Sequence, residues 1–285
     1  YKRAVITVSV ASTAATSLIY LQVPLCIALS GWRTVFSLCA GLGLAVAALW
    51  LLYTRALKRK GFYAGAAPHT PVPSSPEKSG SGAPSFSFGR LAALSGLAPI
   101  FCGIVLHGTL RDGVQTWMPA FIDETYHLGT SVSILTAVIL PIFATLVFPA
   151  ATWLKNRLGN SELNCAAFLF GLAAVCSLLL LPSLNASPLV AIPLRAVVNA
   201  SMHGVNLMLI SHVPQHFARF GCVSTVSGLL NSATYIGSAS STWGIALLSE
   251  SFGWFFTIAV WAGISAAGFL VCMLTRRRWN AFAGE

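Results

Sequence analysis

Long apolar runs separated by short polar or basic breaks dominate the sequence. A helix needs about 20 largely apolar residues to cross the hydrocarbon core of a bilayer. Stretches of about that length lie at residues 4–29, 34–54, 92–121, 131–153, 163–181, 188–211, 221–248 and 254–274. Pro24, Pro99, Pro141 and Pro149 fall inside or beside them. In lipid such prolines are tolerated, because neighbouring helices and side chains satisfy the freed carbonyls. The pattern predicts an all-α integral membrane protein of about eight transmembrane helices. Gly61–Gly89 differs in kind: "AAPHTPVPSSPEKSGSGAPS" is rich in Pro, Ser and Gly and has no apolar period. It reads as a flexible linker with too little to bury to fold by itself.

Composition sharpens this picture. Of 285 residues, 56% are hydrophobic and 8% charged, and mean hydropathy is +0.77. A soluble domain carries roughly a quarter charged residues, so lipid must be the solvent for much of this surface. The formal charge of +10 does not point to nucleic acid, because the basic residues cluster at the ends of apolar runs rather than along one face. An even number of spans puts both termini on one side. That side carries Lys2, Arg3, Arg55, Lys58, Arg59, Lys60, Lys78, Arg90, Lys155, Arg157, Arg219 and Arg276–Arg278, the opposite side only Arg33, and Arg111 and Arg195 fall within spans. Basic loops stay cytoplasmic, so both termini and the linker are expected in the cytoplasm, with the chain multi-pass in the cell (plasma) membrane. The seven cysteines lie in or beside apolar runs without a CxxC and read as small buried hydrophobes. No phosphate-binding loop, HExxH, GxSxG or dinucleotide fingerprint occurs, so no familiar hydrolase or nucleotide-driven pump is signalled, and no cofactor or metal is expected.

An internal repeat organises the spans. Shifted by 222 positions, "SGWRTVFSLCAGLGLA" (30–45) falls on "FGWFFTIAVWAGISAA" (252–267), with Gly-Trp on Gly-Trp, Ala40-Gly41 on Ala262-Gly263 and Arg55 on Arg277. Spans one and two then correspond to seven and eight, which implies a six-helix repeat. Parallel six-helix repeats joined by a cytoplasmic linker are a transporter plan. The expected organisation is residues 1–60 as the last two helices of an N-terminal bundle, 61–90 as linker and 91–285 as a C-terminal six-helix bundle. Four further helices preceding Tyr1 are the expected intramolecular partner, beside the lipid bilayer and a small-molecule substrate.

A GWR at the mouth of the second span, a long basic central loop and six further spans resemble the major facilitator superfamily. "LKNRLGN" (154–160) resembles that family's cytoplasmic loop signature, with Asn156 where an Asp is often found, which puts the motif's charge pairing in doubt. "LRDGVQTWMPAFI" (110–122) and "FARFGCVSTVSGLLNSATYIGSA" (217–239) resemble the organophosphate:phosphate antiporter branch, which includes glycerol-3-phosphate transporters. The resemblance implies a partial major facilitator fold, about helices five to twelve, and puts the branch's phosphate-contacting arginine at Arg111.

The polar residues at membrane depth are the candidate site. Arg111 and His107 lie four apart on the third span, toward its outer half, and share a helix face. Arg offers a planar fork for phosphate or carboxylate. The alternatives are that Arg111 snorkels outward or pairs with Asp112, and adjacent residues point in different directions, which disfavours the pair. Arg195, Asn199, His203 and Asn206 make a stripe on the sixth span. His203 and Asn199 read as pathway residues and Arg195 as an interhelical or outer-interface residue. On the seventh span Ser224, Ser227, Asn231, Tyr235, Ser238 and Thr242 are first of all a packing face, with Asn231 and Tyr235 best placed to reach a ligand. Ser9, Thr13, Thr16 and Tyr20 form a similar face on the first span, and Trp32, Trp117, Trp254 and Trp279 are expected at the membrane interfaces.

These features favour a secondary transporter, not an enzyme, moving a small anionic solute, an organophosphate or carboxylate, by alternating access. The competing readings are an exporter of an apolar or cationic compound with Arg111 purely structural, a non-transporting sensor of the same fold, and a membrane enzyme using His107 or His203.

Overall fold

The computed structural model describes residues 2–60, 88–184 and 187–284. Nearly all of the expected linker lies outside them. The described residues are helical, in the order α1 (Lys2–Ser30), α2 (Trp32–Arg59), α3 (Phe88–Ser95), α4 (Leu97–Tyr126), α5 (Thr130–Thr136), α6 (Ile139–Arg157), α7 (Glu162–Ser183), α8 (Pro188–Asn206) and α9 (Val223–Gly284). Beyond α8 the rod continues as a π-helix, Leu207–His212, and then a 3-10 helix, Val213–Phe220. α9 is two rods, residues 223–252 and 254–284, joined at Gly253. The eight apolar runs thus emerge as eight helical rods. The third is broken into α3 and α4 by Gly96, whose backbone is left-handed, and the fourth into α5 and α6.

Five stretches among the described residues are long and apolar enough to cross a membrane by length and composition: Val10–Ser30, Trp32–Arg59, Thr130–Arg157, Glu162–Ser183 and Val223–Gly284. α7 shows why lipid is needed. Phe170, Ala173, Cys176 and Leu180 are buried in the bundle, yet Phe168, Leu172, Val175 and Leu179 on the other side are exposed and equally apolar. A helix apolar all round cannot face water on one side.

The chain divides into two compact units, Tyr1–Pro24 with Phe88–Glu285, and Leu25–Ser87. The division falls inside α1, near Pro24. In the smaller unit, α2 buries none of its side chains.

In the larger unit α4 packs on α9 and α8, α7 lies against α8 and α9, and α6 against α8. Leu110, Val114, Met118 and Phe121 of α4, Phe170 of α7, Met202 and Val205 of α8 and Leu230 and Trp261 of α9 form its core. Two glycines set the α4–α9 approach. A Cβ on Gly108 would strike the Thr234 carbonyl, and one on Gly237 the Val105 carbonyl. Small residues let backbones close up in this way, and Thr109 Oγ1 then donates to the Gly237 carbonyl at 3.2 Å.

The shared landmarks of the repeat have a structural counterpart. Gly31, between α1 and α2, has φ 86° and ψ 171°, and Gly253, between the rods of α9, has φ 76° and ψ 176°.

Several sequence expectations need correction. Trp279 is not an interface anchor: it is fully buried, and its Nε1 donates to Glu162 Oε2 at 3.1 Å. Cys39 and Cys102 are exposed, unlike the buried Cys26, Cys165, Cys176 and Cys272.

Candidate functional site

A cavity of about 560 Å³ opens in the larger unit, lined by Val8, Ser12, Thr13 and Thr16 of α1, Arg111, Asp112 and Gln115 of α4, Pro141 and Phe148 of α6, His203 and Asn206 of α8, and Asn231 and Tyr235 of α9. Helical spacing places each set on one face. Arg111 is the fifteenth of thirty residues in α4. The helix runs from Leu97 to Tyr126 instead of over 92–121, so Arg111 moves from the outer half, where the uninterrupted span put it, to the middle of its helix.

Arg111 and Asp112 are paired, contrary to the expectation from their adjacency. Nε donates to Oδ1 at 2.6 Å and Nη2 to Oδ2 at 3.0 Å. Backbone directions diverge at neighbouring positions, but the long arginine side chain bends around the helix to reach the short carboxylate. The two-pronged contact is the strong form of such a pair. Both side chains reach the cavity surface, 19% and 24% exposed.

Asn199 and His107 do not line the cavity. Asn199 is fully buried, and its Nδ2 donates to the Arg111 carbonyl at 3.2 Å, so it holds the backbone that carries the guanidinium. His107 sits one turn from Arg111 and is fully buried.

His203, Asn231 and Tyr235 do line the cavity, and His203 lies edge-on to Phe148 with centroids 6.4 Å apart. Gln115 and Asp112 are lining residues that helical pattern alone did not single out. The signal for Gln115 was its i, i+4 spacing from Arg111, and for Asp112 only its adjacency to that residue. Two further contacts bring α1 to the site: Tyr20 OH donates to the Gln115 carbonyl at 3.2 Å, and the hydroxyls of Thr13 and Thr145 lie 2.9 Å apart.

The polar stripe of α8 has three destinations. His203 and Asn206 face the cavity, Asn199 braces α4, and Arg195 enters an aromatic cage. Its guanidinium carbon lies 4.0 Å from the Phe121 ring centroid, 4.7 Å from Trp261 and 5.7 Å from Trp254. Arg195 is 1% exposed, and none of its nitrogens has a hydrogen-bond partner among the described residues. Arg195 thus takes the interhelical position expected of it, between α8, α4 and α9. Cation–π attraction stands in for solvent.

At the other end of the bundle, the 154–160 loop makes a charge pair despite Asn156. Lys155 Nζ donates to Glu162 Oε1 at 2.6 Å. His216 Nε2 lies 3.1 Å from the same oxygen.

The sequence profile of the Major Facilitator Superfamily matches residues 2–242. The chain belongs to that superfamily. The match runs through every residue that lines the cavity. No curated protein matches the chain significantly. As a superfamily member the protein is a multi-pass membrane protein and a secondary transporter, a family of carriers rather than enzymes.

Proposed function

We propose that this transporter moves a small solute bearing an anionic group, an organophosphate or carboxylate, by alternating access, and that Arg111 binds that group. One observation carries the reading: a guanidinium at the midpoint of α4 reaches a polar cavity of about 560 Å³. Ionisable groups at membrane depth cost about 2.5–3.5 kcal/mol each on insertion scales. Arg111 and Asp112 offset this by pairing, but pairing alone would be served as well inside the bundle as at a cavity wall. The resemblance of residues 110–122 to the organophosphate:phosphate antiporters supports the same assignment.

His203, Asn231 and Tyr235 would contact the remainder of the solute, while Asn199 and His107 act from behind the wall. A cationic solute is the second reading, favoured by the Asp112 carboxylate at the same wall. The repeat and the basic loops support residues 1–60 as part of one bundle and 91–285 as another, with the termini and linker cytoplasmic in the plasma membrane.

The test is solute binding per folded molecule in the full-length protein. Arg111→Lys keeps the charge but loses the planar fork, and should weaken binding of phosphate and carboxylate solutes at least tenfold, with Arg111→Ala weaker still. Equal affinity in all three would remove Arg111 from the site. A cysteine placed in the linker and labelled from outside intact cells would refute the orientation.

A further inference from the structure

Two opposite charges reach the cavity as one object. Arg111 and Asp112 hold each other through two hydrogen bonds and share one wall. A guanidinium has five N–H donors, and two go to Asp112, so three stay available to a solute. Asp112 accepts these two bonds and has Ser238 as a further hydrogen-bonding neighbour, yet its side chain remains about a quarter exposed. Apart from His203, no other lining residue can add a cationic charge, so with that imidazole neutral the formal charge of the wall is zero.

A solute that is only an anion gains from Arg111 and loses to Asp112 at nearly the same distance. A solute that is only a cation meets the reverse. Within a partly dehydrated cavity both terms are large and opposed, and a like charge facing the solute is how a site rejects the wrong partner. A solute with both charges escapes the conflict, because its anionic group takes the spare guanidinium donors while its ammonium lies against the carboxylate. The wall's charges touch, so the matching charges must be only a few bonds apart.

We infer that the transported solute is a compact zwitterion, an ammonium with a carboxylate or phosphate two or three bonds away. This rests on the reading that Arg111 binds the solute's anionic group. The cavity exceeds such a headgroup, leaving Ser12, Thr16, Asn231 and Tyr235 to meet an uncharged, hydrogen-bonding remainder.

The experiment uses the purified full-length protein and two pairs of probes differing only in ammonium against hydroxyl: serine with glycerate, and 2-aminoethyl phosphate with 2-hydroxyethyl phosphate. Thermal stabilisation at millimolar concentration reads binding. The zwitterion of at least one pair should bind tenfold or more tightly than its hydroxyl partner. Asp112→Asn should abolish that preference while leaving the anion bound, and Asp112→Glu should keep it should the Asn variant fail to fold. Anions binding as tightly as zwitterions to the unaltered protein, or a preference that survives Asp112→Asn, overturns the zwitterion and leaves the Arg111 reading standing. Zwitterion binding unchanged by Arg111→Ala, or no binding of any probe, overturns both.

Discussion

Gly31 and Gly253, 222 positions apart, hold the same backbone conformation, φ 86° and ψ 171° against φ 76° and ψ 176°. This region is essentially reserved for glycine, because any Cβ clashes with the adjacent peptide. Each glycine turns the chain between two apolar rods and is followed by a tryptophan. Nothing lies within 4 Å of a Cβ at either position, so backbone strain alone decides the effect of a substitution. Gly253→Ala should cost about 1–3 kcal/mol, read as a lowered unfolding temperature in detergent. Unchanged stability would show that the turn relaxes freely.

Arg195 yields a prediction that separates shape from charge. Its planar guanidinium stacks among Phe121, Trp254 and Trp261 and makes no ion pair among the described residues. Arg195→Lys keeps the charge but cannot stack and is more strongly hydrated, and should destabilise by about 2 kcal/mol or more. Arg195→Met fills a similar volume without a buried charge and should cost less than about 1.5 kcal/mol. The reverse order in thermal unfolding would mean that the charge itself is needed.

The eight rods could be read from the sequence because an apolar run of spanning length has few other fates, and Gly31 and Gly253 stood out as aligned Gly-Trp steps. The side-chain partners could not. Spacing gives the direction in which a Cα–Cβ bond leaves the helix, not where a long arginine side chain ends, so spacing disfavours an Arg111–Asp112 pair that the structure contains. The α8 stripe is one face by periodicity, yet α4, the cavity and the cage share it. The cage needs Phe121 and Trp261, 140 residues apart in sequence, and no local pattern announces it. The centring of Arg111 depends on where its helix starts and stops, at the left-handed Gly96 and at Tyr126, and the apolar run marks neither end.

The Glu162 cluster should behave as a unit. Glu162 and Lys155 expose 3% and 11% of their side chains, and removing one partner strands the other. Glu162→Gln should cost about 3–5 kcal/mol. Adding Lys155→Met should restore most of it, measured as a double-mutant cycle on unfolding temperature. Strict additivity would show that the pair contributes nothing jointly.

Asn199 acts on the cavity without entering it. Asn199→Ala removes the bond to the Arg111 carbonyl and should cost about 0.5–1.5 kcal/mol of stability. Solute affinity per folded molecule should fall by less than in Arg111→Lys, because the guanidinium is retained and only its footing is loosened. A larger loss than in Arg111→Lys would place Asn199 against the solute itself.

The rod that carries Asn206 to the cavity also carries His216 to Glu162, and between them its winding changes twice. Leu207–His212 is loosened into a π-helix, and Val213–Phe220 is tightened into a 3-10 helix. An α-helix turns about 100° per residue, the π form less and the 3-10 form more. The two departures have opposite sign, so turn given up by one segment can be taken up by the other while the ends stay seated. The angular offset between Asn206 and His216 is therefore set by an unwound and an overwound segment in series, not by the pitch of one continuous α-helix.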